Sequence, residues 1–351
     1  MSTFARFSEQ AEPARLLEAA LRDGPAHAYL FHGPAGVGKR ETAVAFARAL
    51  LRTQREFHPD LYELDALGEM IRIDAIRELR RDLHMRPFEA DRRVYLIVRA
   101  HLMNEDAADA LLKDLEEPPS YAVIVLVADD LGPIPETIRS RCQLVPFRRL
   151  SEKSMRELVD ARAPQLSEEE RTALARMAAG RLDRLERLLD SQSAARRELL
   201  LEQARGVYAD AGFDPADAAA ALLRNASERG AEAREREETK VAGLDLPARE
   251  ADQRVKRAAR GAEREELLAE LEELGAWYRD LLAVGVGADG AAIHLDKLEL
   301  LKADARRERL AGAEGAAEAV RETWRQLEEF NLAPQLALEA LFVRIGRELA
   351  A

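Results

Sequence analysis

The chain has 351 residues, of which 47% are hydrophobic and 34% are charged, and its formal net charge is −12. This length allows two or three domains, each with its own core. A single cysteine, Cys142, excludes a disulfide framework and a cysteine-ligated zinc site. No signal peptide and no apolar run of membrane-spanning length stands out, so we predict a cytoplasmic protein without a membrane partner.

The acidic balance argues against a protein that binds nucleic acid by itself. Residues 1–150 carry 21 basic and 24 acidic side chains, and residues 151–351 carry 32 and 41. Neither part has the basic excess that supports strong non-specific DNA binding. A stand-alone DNA-binding protein is therefore kept only as an alternative.

The first part of the chain alternates strands with helices, which predicts a three-layer α/β fold with a parallel sheet. Apolar positions at helical spacing predict a first helix, and two continuous β-branched runs predict strands buried on both faces. Asp74 is expected to cap a helix, and Pro118 to end another. The predicted strands are 28–31, 61–64, 94–98 and 122–127, and the predicted helices are 13–23, 41–51, 75–85 and 105–117.

A glycine-rich loop joins the first strand to the second helix. Its Gly33, Gly36, Gly38 and Lys39 fit the phosphate-loop pattern G-x-x-x-x-G-K-[ST] at every position but the last. There Arg40 replaces the hydroxyl that binds Mg²⁺. A strand before the loop and a helix after it are the context that a phosphate loop needs. We predict a degenerate nucleotide site, which holds ATP or ADP weakly at most and without turnover.

Helical patterns continue to the end of the chain. Predicted helices at 152–161, 168–179 and 182–189 form a small unit interrupted at Gly180. The charged segment 228–264 is interpreted as solvated helix or partial disorder. The predicted domains are 1–150, 151–193 and 194–351.

Four sequence blocks then follow one another at a characteristic spacing: HAYLFHGPAGVGK (27–39), HPD (58–60), ADALLKDLEEPP (108–119) and TIRSRCQ (137–143). Together they resemble the bacterial clamp-loader AAA+ ATPases of DNA polymerase III, and the delta-prime subunits in particular. The resemblance implies a RecA-like AAA+ P-loop domain, a helical lid and a C-terminal helical collar. It also implies partners: the motor ATPase subunits and delta in a five-subunit ring, a sliding clamp, and primed DNA reached through the complex.

The resemblance also implies roles for single residues. Arg141, between Ser140 and Cys142, matches the arginine finger that is presented to ATP on a neighbouring subunit. It is expected on an exposed edge after a strand. Lys39 matches the phosphate-binding lysine, and Arg181 is the candidate sensor-2 arginine of the lid.

Several positions depart from the family pattern. Val98 and Arg99 occupy the places of the acidic Walker B pair. Ala128 or Asp129 stands where the family has its sensor-1 residue, and the sequence assigns neither. The segment 51–57 is too short for the zinc module of many relatives, so no zinc is expected. The preferred interpretation is a non-hydrolysing delta-prime-like subunit that supplies Arg141 in trans. The alternative within the same loader is an ATP-hydrolysing motor subunit.

Overall fold

A computed structural model describes residues 10–55, 57–65, 70–242, 248–330 and 332–350. The chain forms two compact units. The first covers the chain up to Leu158 together with Ala178–Glu186, and the second covers Val159–Met177 together with the chain from Arg187 onward. The three domain boundaries proposed above stay a prediction.

The first unit is built on a five-stranded parallel sheet with the strand order β2-β3-β4-β1-β5. All seven residues of the central strand β4 are buried, which is why its sequence is continuously apolar. Four strands were predicted close to their observed bounds, and β5 was missed because it is short and begins with two exposed residues. The strands are β1 (Ala28–His32), β2 (Leu61–Leu64), β3 (Arg93–Ile97), β4 (Ala122–Ala128) and β5 (Gln143–Pro146).

Helices cover both faces of this sheet. One face packs Tyr29 and Phe31 against Phe46, and the other packs Leu30 and Ile97 among apolar helix residues. The helices that precede or separate the strands are α1 (Ala11–Asp23), α2 (Lys39–Leu50), α3 (Ile73–Leu83), α4 (Glu105–Glu116) and α5 (Glu136–Arg139).

The prediction that Asp74 caps α3 is wrong. The helix begins at Ile73, Arg72 occupies the N-cap position, and no side-chain cap bond is present there. Asp74 lies in the first turn, where a carboxylate still interacts favourably with the helix dipole. By contrast, the Asn104 side chain caps α4 by accepting a hydrogen bond from the Ala107 N–H at 3.1 Å.

The rest of the chain is helical, as predicted. Gly180 separates two helices with a φ of +77°, a conformation that favours glycine. The charged segment is helical on both sides of residues 243–247, which lie outside the described residues, so solvated helix is the correct interpretation where the structure describes it. The helices are α6 (Glu152–Arg162), α7 (Glu168–Ala178), α8 (Leu182–Leu188), α9 (Ser193–Ala209), α10 (Pro215–Ala242), α11 (Ala248–Gly285), α12 (Leu298–Asp304), α13 (Arg307–Glu329) and α14 (Pro334–Ala350).

The second unit has an apolar core around Trp277, Tyr278 and Phe342, none of them more than 1% exposed. Buried charges accompany this core: Arg187 Nη1 lies 2.8 Å from the carboxylate of Glu266, and Glu270 is 3% exposed. Within the ranges that the structure describes, no helix is both long enough and apolar enough to cross a membrane.

Candidate functional site: the phosphate loop and the arginine after α5

The glycine loop has the predicted setting, between β1 and α2. Gly33, Gly36 and Gly38 have φ values of +140°, +74° and +89°, all in the region that favours glycine. A Cβ atom on Gly33 would lie 2.2 Å from the carbonyl oxygen of Phe147, and one on Gly36 would lie 2.0 Å from Asp183 Oδ1. The backbone contact makes glycine necessary at position 33, whereas at position 36 the Asp183 side chain could move and the positive φ is what favours glycine.

Lys39 is the buried cation of the loop, with 4% of its surface exposed. Its ammonium donates to the carbonyl oxygen of Gly33 at 2.6 Å and to that of Pro34, and it lies 2.7 Å from Asp129 Oδ1. A lysine has three N–H donors, and these contacts use all of them. Burial lowers the pKa of Lys39, and the bond to Asp129 offsets part of that effect. A phosphate could reach this ammonium only by displacing a partner.

The two residues considered after β4 differ in their settings, and the sensor-1 assignment stays open. Ala128 is fully buried in the strand, whereas Asp129 extends beyond it toward Lys39. The Asp129 backbone N–H donates to His101 Nδ1 at 3.1 Å, so that nitrogen is unprotonated. Burial lowers the pKa of His101, which agrees with a neutral ring. The position therefore presents a carboxylate, whose charge repels a phosphate.

The three positions that should support a metal hold none of its ligands. The Arg40 guanidinium donates to Glu63 Oε1 at 2.9 Å, and Val98 is 5% exposed within the core. Arg99 donates to Asp65 Oδ1 at 2.8 Å. The two acidic side chains beside the site, Glu63 and Asp65, are thus each bound to a guanidinium. Mg²⁺ requires oxygen ligands, and none of the three replacing side chains supplies one.

Arg181 lies beside the loop but is held by its own segment. It binds the Asp183 carboxylate through two nitrogens, at 3.2 and 2.7 Å. The N–H of Leu182 donates to the carbonyl oxygen of Gly36 at 2.7 Å. Burial would raise the pKa of Asp183, but its bonds to Arg181 and to the Arg184 N–H outweigh this and lower it. A second carboxylate therefore lies against the loop, next to the candidate sensor-2 arginine.

A buried glutamine that the sequence analysis missed fixes the loop from the other side. Gln10 Nε2 donates to the carbonyl oxygen of Arg148 at 2.7 Å, and to that of Val37 at 3.4 Å. Its Oε1 accepts the Arg148 N–H at 3.3 Å. No local motif marks Gln10, because its partners lie 27 and 138 residues along the chain.

These contacts test whether the loop fits a metal-bound nucleoside triphosphate. The loop has the backbone form of a phosphate site, but its lysine is bound internally, two carboxylates adjoin it, and the metal positions lack oxygen ligands. The residues present do not fit Mg²⁺-ATP in a hydrolysing arrangement. Whether a nucleotide binds weakly without metal stays a prediction.

Arg141 differs from its predicted setting in one respect. It does not follow a strand; it follows α5 and precedes β5. About a third of its side chain is exposed, and its Nη1 donates to the carbonyl oxygen of Thr137 at 2.8 Å. Its Nη2 binds the carboxylate of Glu116, the last residue of α4. These bonds go to α4 and α5, not to the glycine loop.

The neighbours of Arg141 have modest roles. Ser140 Oγ donates to the carbonyl oxygen of Thr137 at 3.3 Å, which helps to close the turn after α5. Cys142 is half-buried, and burial raises the pKa of its thiol to about 12. Burial thus disfavours the thiolate, which is the nucleophilic form of cysteine.

The HPD block has a structural role. Asp60 is fully buried and accepts the backbone N–H groups of Phe88, Glu89 and Ala90 at 2.6, 2.9 and 2.9 Å. His58 Nδ1 accepts the Asp60 N–H at 3.1 Å. In the ranges described, no group of three or more His, Cys, Asp or Glu side chains is arranged to hold a metal ion. The absence of zinc stays a prediction.

The parallel sheet of this strand order, with a glycine loop before α2, defines a P-loop protein of the AAA+ class. Residues 9–151 match the family described as "DNA polymerase III, delta subunit". This matched region is less than half of the chain, and it resembles the DNA polymerase III clamp-loader AAA+ proteins, as the four sequence blocks indicated.

Among its relatives in Bacillus subtilis, the chain is 34% identical over 173 residues to DNA polymerase III subunit tau, covering 44% of this chain and 31% of that one. It is 31% identical over 152 residues to subunit delta′, covering 39% and 46%. The matches thus span less than half of either subunit.

A solved structure from Thermotoga maritima, of a protein related to the DNA polymerase III gamma subunit, aligns over 95% of this chain and 99% of its own, with a TM-score of 0.52 and 20% identity. At that identity the likeness shows the fold alone.

Proposed function

We propose that this chain is a delta-prime-like subunit of a DNA polymerase III clamp loader that does not hydrolyse ATP itself. It acts with the motor ATPase subunits and delta in a five-subunit ring in the cytoplasm. The ring opens a sliding clamp and places it on primed DNA. The chain contributes Arg141 to ATP that a neighbouring subunit holds.

The observation that carries the proposal is that Lys39 and Arg40 of the glycine loop are both bound to groups of their own chain. Lys39 is bound by two carbonyl groups and by Asp129, and Arg40 is bound by Glu63. Hydrolysis at a P-loop requires a metal held by oxygen ligands and a group that orients the attacking water. Val98 and Arg99 supply neither, so catalysis within this chain has no support.

A partly exposed arginine can still act in trans. A guanidinium that reaches the γ-phosphate of a neighbour stabilises charge that develops in the transition state, and such fingers are worth about a thousandfold or more at their own site. Arg141 has about a third of its side chain exposed, on a turn that α5 and β5 fix at both ends. Its substitution should therefore leave the isolated chain folded.

The second candidate is a motor subunit, which the 34% identity to a tau subunit favours. It requires ATP turnover by this chain. The lost metal ligands and the internally bound lysine weigh against it.

The test is to reconstitute the complete loader with the normal chain and with Arg141→Ala. We expect full assembly and a reduced rate of ATP hydrolysis and clamp loading in the presence of primed DNA. Arg148→Ala is the control, since the Arg148 side chain is 83% exposed in the same unit. Equal rates for Arg141→Ala and the normal chain in fully assembled loaders would refute the arginine-finger role.

A further inference from the structure

Arg141 is already paired within its own chain. Its two terminal nitrogens are both engaged, Nη2 by the Glu116 carboxylate and Nη1 by the Thr137 carbonyl oxygen. Contact between a guanidinium and a phosphate commonly uses two parallel N–H donors. A guanidinium has five N–H donors, so a neighbour's phosphate need not displace both partners, but it competes with Glu116 when it approaches through Nη2.

Glu116 lies at a helix end where acidic side chains are usually disfavoured. It is the last residue of α4, where the helix dipole is negative and where an acidic side chain is disfavoured. Glu117 and the two prolines end the helix immediately after it. The guanidinium of Arg141 offsets both the dipole and the carboxylate. A residue that breaks a local rule in this way is a candidate for a functional role.

We infer that Glu116 is a positioning residue that holds Arg141 in the undocked chain and competes with the neighbour's γ-phosphate for its guanidinium. The inference rests on the proposed function. The effect of Glu116 is to lower ATP hydrolysis by the loader before the clamp and DNA are engaged. Docking that brings the phosphate close enough exchanges one anion for another at Arg141.

The size of the effect follows from the exposure of the pair. The side chains of Arg141 and Glu116 are 34% and 49% exposed, and an exposed ion pair contributes little. The phosphate of a bound nucleotide can therefore displace the carboxylate readily. Removal of the carboxylate should raise the rate at the affected site by about two- to fivefold, far less than the loss on removing the finger.

The experiment compares Glu116→Gln with Glu117→Gln in the reconstituted loader. Glu117 is the adjacent exposed glutamate, and the Gln substitution removes one charge at the same helix end in both variants. For each loader, kcat and KM for ATP are measured without clamp and DNA, and again with both.

Glu116→Gln should raise the unstimulated kcat about two- to fivefold, leave KM for ATP unchanged and reduce the stimulation by clamp and DNA. Glu117→Gln should change none of these. In an Arg141→Ala background, Glu116→Gln should have no further effect, because its action runs through Arg141. Glu116→Lys, which replaces attraction by repulsion, should raise the unstimulated kcat at least as much as Glu116→Gln.

The inference fails if Glu116→Gln matches Glu117→Gln, lowers the unstimulated rate, or acts equally without Arg141. Those outcomes leave the proposed function intact provided that Arg141→Ala alone lowers the rates. If Arg141→Ala has no effect in an assembled loader, the proposed function itself fails, and the inference fails with it. Unfolding midpoints of the isolated variants show whether each chain is folded.

Discussion

The carboxylate of Asp129 lies 2.7 Å from the ammonium of Lys39, and the lysine side chain is only 3% exposed. Two carbonyl groups complete the bonds of that ammonium. The Asp129 carboxylate is thus the counter-ion of the Lys39 ammonium within the same chain. A buried lysine that loses its counter-charge is left with an uncompensated desolvation cost.

Asp129→Asn should therefore destabilise the first unit. Because the Asp129 side chain is itself 38% exposed, we expect the free energy of unfolding to fall by about 1–3 kcal/mol, which is less than for a fully buried pair. Urea unfolding of the isolated chain measures it. Asp130→Asn, at the exposed next residue, is the control and should change stability by no more than about 0.5 kcal/mol. Equal stability of the two variants would mean that Asp129 does not act as the counter-ion.

The isolated chain should release no phosphate from ATP above background, with or without Mg²⁺. Arg40 points its guanidinium to Glu63, and neither Val98 nor Arg99 offers a metal ligand or a base. Steady-state phosphate release by the purified chain is the measurement. Weak nucleotide binding is compatible with this prediction. Turnover that disappears in Lys39→Ala would contradict it and would favour the motor subunit.

Asp60→Asn should lower the free energy of unfolding by about 2–4 kcal/mol at pH 7, because the amide cannot accept all three backbone N–H groups that the carboxylate binds. Burial would raise the pKa of Asp60, but the three N–H bonds outweigh it and lower the pKa below its ordinary value. A carboxylate with a lowered pKa stabilises the folded state above the unfolded pKa.

The difference in free energy of unfolding between Asp60→Asn and the normal chain should consequently have its maximum value at neutral pH. It should shrink once the pH falls below about 4, toward the lowered pKa of the folded state. Chemical unfolding at pH 7, 4 and 3 follows this change. Asp91→Asn, at an exposed position of the same loop, is the control. A constant difference at all three pH values would exclude the carboxylate as its source.

Glu270→Gln should stabilise the second unit at alkaline pH. Burial raises the pKa of Glu270 well above its usual value, and neighbouring Glu266 adds to the shift, while the bond from Asn225 at 3.0 Å and the charge of Arg187 oppose it. The folded state then retains a proton that the unfolded chain releases. The free energy of unfolding therefore falls as the pH rises from the pKa of the unfolded chain to the raised pKa of the folded state.

A neutral amide at position 270 removes this dependence. The thermal midpoint of Glu270→Gln should exceed that of the normal chain by more at pH 8 than at pH 5. Glu228→Gln, at an exposed position of α10, is the control. A Gln variant that is less stable than the normal chain at pH 8 would show that the ionised carboxylate is favourable there.

The buried strands and the glycine loop could be predicted from the sequence because their signals are local. The apolar run of β4 and the strand–loop–helix order around Gly33 each occupy one continuous segment. Arg141 was recognised for the same reason, within a short block of specific residues. Its setting was predicted incorrectly because α5 has only four residues, and so short a helix has no readable periodicity.

The partners of these residues could not be predicted in the same way. Asp183 lies 147 positions after Gly36, and Glu116 lies 25 positions before Arg141, so neither pairing leaves a pattern in either segment. Asp129 was one of two candidates, and only the direction of its side chain toward Lys39 distinguishes it from Ala128. The residue types at positions 40, 98 and 99 show which metal ligands are missing, and the folded contacts show how Lys39 is bound.

The close approach of Gly33 to the Phe147 carbonyl has a consequence for how such sequences evolve. Any larger residue at position 33 would collide with the backbone of the strand exit, whether or not a nucleotide ever binds. Selection for folding alone would therefore retain this glycine whether or not the chain hydrolyses ATP. Arg40, whose side chain is half exposed, is under no comparable steric constraint. The glycines of the loop therefore indicate its backbone conformation. The residue after the lysine is the better guide to whether the loop can bind a metal.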